Sequence, residues 1–273
     1  MKVNKEFWFD ISALLFLWLI IWLAPNDLLI YQSISFLSIL KIVALISTLE
    51  VMGFFAHHFL GNKAGVLLQG FLGGFVSSTM TFLNLTQNEN QLHPMTVSRA
   101  LLLATVGMLI ECIFIIFAII PENFLILAKP FIVQIILLIL FAFVLGIFFK
   151  DKKLTHPKIV LDDPIVWKKV AKFAVFIVGL IILMRFLSTN LKLPHVWATF
   201  FLSLFEAHGV LTAGLTEVKT DPGLNGMTIV MAVLFGNFIS KAFLVLRGNH
   251  KMRMPVLIPL SLSLVGAWSS IYI

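Results

Sequence analysis

Apolar runs of about 20 residues, separated mostly by short polar turns, recur along the whole of this sequence. A helix of that length matches the ~30 Å hydrocarbon core of a bilayer, and a run that is apolar on every side has no face to turn to water. A membrane barrel is excluded, because its strands are shorter and alternate polar with apolar residues. Composition agrees: 12% of the residues are charged, against roughly 25% in soluble domains, and the mean hydropathy is +1.02. The expected fold is all-α, a polytopic membrane protein with no soluble domain of its own and with the lipid bilayer as its first partner.

Nine hydrophobic segments stand out: Phe7 to Ala24, Phe36 to Phe59, Ala64 to Thr86, Val97 to Ile119, Phe124 to Phe149, Ile165 to Leu187, Val196 to Thr216, Leu224 to Leu246 and Met254 to Ile273. Turn chemistry separates them, as at Gly61-Asn62-Lys63, Pro121-Glu122-Asn123 and Asp221-Pro222-Gly223. The first follows Lys2 and Lys5 like a signal sequence, yet Trp22-Leu23-Ala24-Pro25 offers no small-residue cleavage site, so an uncleaved span is expected. The net charge of +7 comes from Lys and Arg residues flanking apolar segments, which suits a cytoplasmic membrane face rather than nucleic acid. Cys112 is the single cysteine and lies inside an apolar run, which excludes an intrachain disulfide and paired-thiol zinc or redox sites.

The longest connection, 150–164, divides the chain, and the second to fifth segments match the sixth to ninth in pattern. In each half a long apolar helix precedes one rich in small and polar residues, and a deep charge follows, Glu111 in the first half and Lys241 in the second. The expected organisation is an N-terminal span in 1–35, one four-segment repeat in 36–149, a basic cytoplasmic linker in 150–164 and a second repeat in 165–273. With nine crossings and a cytoplasmic N-terminus, Lys and Arg divide about nine inside to ten outside. If the third and seventh segments enter and return, the division becomes about fourteen to five, with Lys241 left in the membrane. Seven spans plus two re-entrant or broken helices would make the halves inverted repeats, an arrangement common in secondary transporters. Gly73, Gly74 and the following hydroxyls suit a broken backbone. The competing reading keeps both segments straight, packed closely through small residues such as Gly70 and Gly74.

Ionisable side chains at membrane depth are costly unless paired or hydrated, which makes them functional candidates. Here they are Glu50, Glu111, Glu206, His208 and Lys241, with Arg185 nearer a segment end. Glu206 and His208 are two residues apart, about 200° on an ideal helix, and would face one ligand only where the helix is interrupted. Glu111 and Lys241 sit at equivalent depths and are expected to neutralise each other as a buried pair. Ser77, Ser78 and Thr79 are candidate oxygen donors at a helix break, and Asn237 lies beside Lys241 as a polar lining residue or a helix-to-helix hydrogen bond. No His-Glu-x-x-His, Gly-x-Ser-x-Gly, phosphate-binding or dinucleotide-binding motif occurs, so neither an enzyme nor a cofactor is expected.

The motifs Gly70-Phe71-Leu72-Gly73-Gly74-Phe75-Val76-Ser77-Ser78-Thr79, Phe205-Glu206-Ala207-His208-Gly209, Gly236-Asn237-Phe238-Ile239-Ser240-Lys241-Ala242 and Val265-Gly266-Ala267-Trp268 resemble an integral-membrane domain of unknown function found C-terminal to MgtC/SapB-type domains. The resemblance runs over roughly residues 40 to 270. It departs where Glu206 stands for an Asp common in that family, which keeps the carboxylate, and no MgtC-type domain lies within these residues. It implies the membrane fold and this choice of residues rather than a particular activity. The function expected from the residues is a bacterial inner-membrane transporter or channel for a small inorganic ion, a cation in preference to an anion, with the N-terminus cytoplasmic. The alternative is a non-transporting scaffold or regulator that binds a partner, or a second copy of itself, through the Gly-rich face of the third segment.

Overall fold

The computed structural model describes residues 5–23, 29–31, 34–35, 65–87, 93–148, 193–221 and 223–272, with single residues and short stretches inside 40–51 and 175–190. The helices are α1 (Lys5–Leu23), α2 (Val66–Gln87), α3 (Pro94–Ile119), α4 (Phe124–Phe148), α5 (His195–Ser203), α6 (His208–Thr220), α7 (Gly226–Arg247) and α8 (His250–Ser269). A 3-10 turn, Pro121–Asn123, joins α3 to α4. A short antiparallel pair, β1 (Leu29–Tyr31) and β2 (Ile34–Ser35), follows α1. The second and sixth hydrophobic segments, with Glu50 and Arg185, lie wholly or largely outside the described residues. The protein is an all-α membrane protein. Among the described residues four helical stretches are long and apolar enough to cross a bilayer: Pro94–Ile119, Pro121–Phe148, Gly226–Arg247 and His250–Ser269.

Burial ranks these helices. The most apolar window of Pro94–Ile119 is 67% buried, whereas that of Pro121–Phe148 is 22% buried. α3 is therefore the central post, and α4 presents Ile126, Ile132, Ile136, Ile139, Phe143 and Ile147 outwards, an apolar face of the kind a bilayer covers. Arg99, near the start of α3, donates from Nε to the Ala142 carbonyl near the end of α4 at 3.0 Å, so the two helices run antiparallel. Gln134 of α4 reaches Ser263 of α8 at 3.5 Å, and Leu137 lies against Gly266, which lays α8 along α4. α1 packs through Leu17 and Ile21 on Leu40 and Ala44, and its Trp18 indole donates to the Thr48 hydroxyl.

The third and seventh hydrophobic segments are both broken. Inside α2, Ser77 has φ −168° and ψ 104°, extended backbone between two helical arms, and its hydroxyl accepts from the Met80 N–H to cap the second arm. Thr81 then lies against Gly73; eight residues of unbroken helix would hold them about 12 Å apart along the axis, so the chain doubles back. The first arm runs beside the start of α3, Gly70 on the Ala100 carbonyl and Gly74 on the Ala104 carbonyl. The second arm runs beside the latter part of α7, Phe82 by Lys241 and Thr86 by Gly248.

The seventh segment breaks between Ser203 and His208. α5 runs parallel to α7: Trp197 and Thr228 border one groove, the Ser203 hydroxyl donates to the Ala232 carbonyl at 3.3 Å, and Gly236 meets Ser203. α6 runs back, with Gly214 against Ile229 and Val218 against Gly226. Ile120, Val218 and Gly226 line one cavity, so the end of α3, the end of α6 and the start of α7 share one end of the molecule. The molecule thus contains two helical hairpins, α2 entering from the end where α3 starts and α5–α6 from the end where α7 starts.

Straight spans for the third and seventh segments are thereby excluded, but close packing through glycine is not: the structure uses the small residues for both purposes. The Gly70 and Gly74 face lies on α3 inside the chain, so it is not open to a partner or a second copy as the scaffold reading expected. Replacing Gly74 by Ala sets a Cβ against the Ala104 carbonyl and is expected to cost about 1–3 kcal/mol. Gly65→Ala, which meets nothing within 4 Å, should stay within about 0.5 kcal/mol of wild type. Thermal melts of the two variants in detergent check the difference.

Candidate functional site

The break before α6 leaves the first N–H groups of that helix without helical partners, and Glu206 answers them. Its Oε1 accepts from the His208 N–H at 3.0 Å, and its Oε2 accepts from the Gly209 N–H. A carboxylate at a helix N-terminus also meets the positive end of the helix dipole. Gly209 is buried in the first turn of α6.

The turn also brings the two side chains together, which an unbroken helix would prevent. His208 Nδ1 lies 3.5 Å from Glu206 Oε1, and His208 Nε2 lies 3.3 Å from Glu111 Oε2 on α3. The second contact is one of ion-pair distance rather than an aligned hydrogen bond. The side chains form a gradient of exposure, Glu206 at 27%, His208 at 14% and Glu111 at 1%.

Lys241 of α7 completes the cluster from the other side. It is 2% exposed; its Nζ donates to the Met108 sulfur at 3.2 Å and stands 5.4 Å from the centre of the Phe82 ring. A desolvated cation over an aromatic face gains about 2 kcal/mol, less than the cost of removing an ammonium from water. The expected Glu111–Lys241 pair does not form: among the described residues Lys241 has no ion pair, and Glu111 turns to His208. Met108, Glu111 and Cys112 lie at helical spacing on buried positions of α3, so one face of that helix serves both neighbours.

The remaining candidates divide. Ser77 caps the second arm of α2, Ser78 is buried and Thr79 is exposed at the tip. Asn237 is buried one turn before Lys241. Glu50 lies outside the described residues. The hydroxyls of Thr81, Thr199 and Thr212, one in α2, one in α5 and one in α6, are buried without a hydrogen-bond partner among the described residues. Thr199 and Thr212 were not legible as site residues, because nothing in their neighbours marks which hydroxyls bond back to their own helix, as Thr105, Thr216 and Thr86 do. Among the described residues no group of three or more His, Cys, Asp and Glu side chains is arranged to hold a metal ion.

Residues 44–248, more than half of the chain, match the family described as "Domain of unknown function (DUF4010)". The chain belongs to the DUF4010 family. No curated protein and no solved structure matches it. The DUF4010 region takes in both hairpins, α3, α4, α7 and every residue of the cluster.

The contact between His208 and Glu111 has a measurable consequence. In a double-mutant cycle, Glu111→Gln and His208→Leu should each lower the thermal midpoint, and the pair together should cost about 1–3 kcal/mol less than the sum. Strict additivity would show that the contact contributes nothing.

Proposed function

We propose that this protein is a membrane transporter or channel for a small inorganic ion, with its ion path at the cluster between the two hairpin tips. The observation that carries the reading is that two helical hairpins, entering from opposite ends, meet at buried ionisable side chains. Broken helices are tolerated at membrane depth where they are buried in protein or line a hydrated path, and paired half-helices of this kind frame the ion sites of secondary transporters. A scaffold has no need of such expensive groups, and the Gly-rich face it would use is occupied by α3.

The cluster favours a cation. Glu206 and Glu111 set two carboxylates beside the tip of the α5–α6 hairpin, and a cation or proton brought between them offsets their charge. Thr81, Thr199 and Thr212, with Ser77, Ser78 and Thr79, supply oxygen donors along the hairpins. Asn237 serves as a polar lining residue. Glu50 is proposed as a further carboxylate on the path.

In this reading the chain has seven spans and two re-entrant hairpins in inverted halves, and lies in a bacterial inner membrane. Arg99, Arg247, Lys251 and Arg253 gather at the end where α3 and α8 begin, against Lys129 and Lys219 at the other. The richer end is the cytoplasmic one, with the N-terminus and the 150–164 linker on the same side.

Two measurements test the proposal. Purified protein in liposomes should carry a labelled monovalent cation, rubidium or sodium, above the leak of empty vesicles. Glu206→Ala and Lys241→Ala should each lower that flux at least about tenfold, and equal flux through all three proteins would count against the path. Cysteines placed singly in 61–64 and 88–96, which flank the third hydrophobic segment, in a Cys112→Ser background, should be labelled from the same side; labelling from opposite sides would count against the re-entrant reading and favour nine crossings.

A further inference from the structure

Glu206, His208 and Glu111 are arranged in a line, from the most open side chain of the cluster to one of its most enclosed. The imidazole is the middle member and reaches one carboxylate with each ring nitrogen, at 3.5 Å and 3.3 Å. A structural ion pair needs one such contact. Two contacts, one on each nitrogen, are what a proton carrier needs, because imidazole is the side chain that accepts on one edge while donating from the other.

We propose that His208 passes protons between Glu206 and Glu111, so that ion movement through this protein is proton-coupled or is itself proton movement. This deepens the transport reading and rests on it. The step balances as follows: with Glu206 protonated and Nε2 carrying the ring proton, Glu206 gives its proton to Nδ1 and Nε2 gives its proton to the Glu111 carboxylate. One proton has moved inwards and the imidazole is neutral again as the other tautomer. Exchange with solvent from the open Glu206 side, one proton released from Nδ1 and one taken up at Nε2, restores the starting tautomer with no net change, and a small turn of the ring brings Nε2 into line with Glu111.

Among the described residues the other titratable groups facing this line are Cys112, which follows Glu111 on α3 and also faces His208, and Lys241, on the Met108 side of the same helix face. Lys241 is held at Met108, one turn along α3 from Glu111, and faces the arm of α2 that carries Phe82. At the outer end, protonating Glu206 weakens its hold on the His208 and Gly209 N–H groups. Loading a proton thus loosens the tip of the α5–α6 hairpin, which ties the proton step to a movement of the backbone.

The test uses purified wild-type protein in liposomes that enclose a pH-reporting dye, with a potassium diffusion potential drawing protons inwards. Labelled sodium, rubidium and chloride are followed in parallel in the same preparation. Wild type should acidify the interior, and His208→Gln, which keeps polarity but cannot relay, should slow this at least about tenfold. Unchanged acidification in His208→Gln would overturn the relay. If labelled ions cross in wild type at rates independent of pH, with no acidification, transport stands and the relay falls. If nothing crosses, both fall. Should His208→Gln not fold, infrared difference spectra of wild type between acid and neutral buffer decide. Protonated-carboxyl bands assigned through Glu111→Gln and Glu206→Gln should appear together on acidification, and their absence would overturn the proposal.

Discussion

A helix interrupted in hydrocarbon exposes backbone groups that no water is present to satisfy, and the rest of this architecture follows from how that problem is met. At the first break the Ser77 hydroxyl takes the Met80 N–H. At the second the Glu206 carboxylate takes the N–H groups of His208 and Gly209. The two solutions differ in charge. A hydroxyl cap is neutral and complete in itself, whereas a carboxylate cap imports an ion that has to be compensated, and the compensation draws in His208, then Glu111 on another helix. The cluster is thus an extension of the cap.

Much of this was readable from residue types. The hydrophobic segments that became α2, α3, α4, α7 and α8 are evident because nothing but a spanning or re-entrant helix accommodates such runs. The breaks coincide with the places where small and hydroxyl residues gather, around Gly73-Gly74 and around Ala207-His208-Gly209. Charge asymmetry pointed to segments that return to their own side, and the chain directions in α2 and α5–α6 have that form.

Partner choice inside the membrane was not readable. Glu111 and Lys241 look matched when depth alone is compared, since pairing by depth ignores the direction in which each side chain leaves its helix. The direction of His208 depended on the angle of the break before it, which no local residue preference specifies. Gly70 and Gly74 were ambiguous for a similar reason. Small residues permit both close approach and a change of direction, and only the position of α3 shows that both occur in one helix.

Each hairpin meshes with the span that follows it at glycine positions where main chain approaches main chain: Gly74 with Ala104, Gly236 with Phe200. Contacts of that kind do not slide, so α2's first arm with α3, and α5 with α7, behave as two stiff blocks. What holds the hairpin tips at the cluster is softer: an imidazole against a carboxylate, an ammonium against a thioether and a phenyl ring. Stiff along their stems and held at their tips by side chains alone, the hairpins give way at the tips before they give way anywhere along the stems.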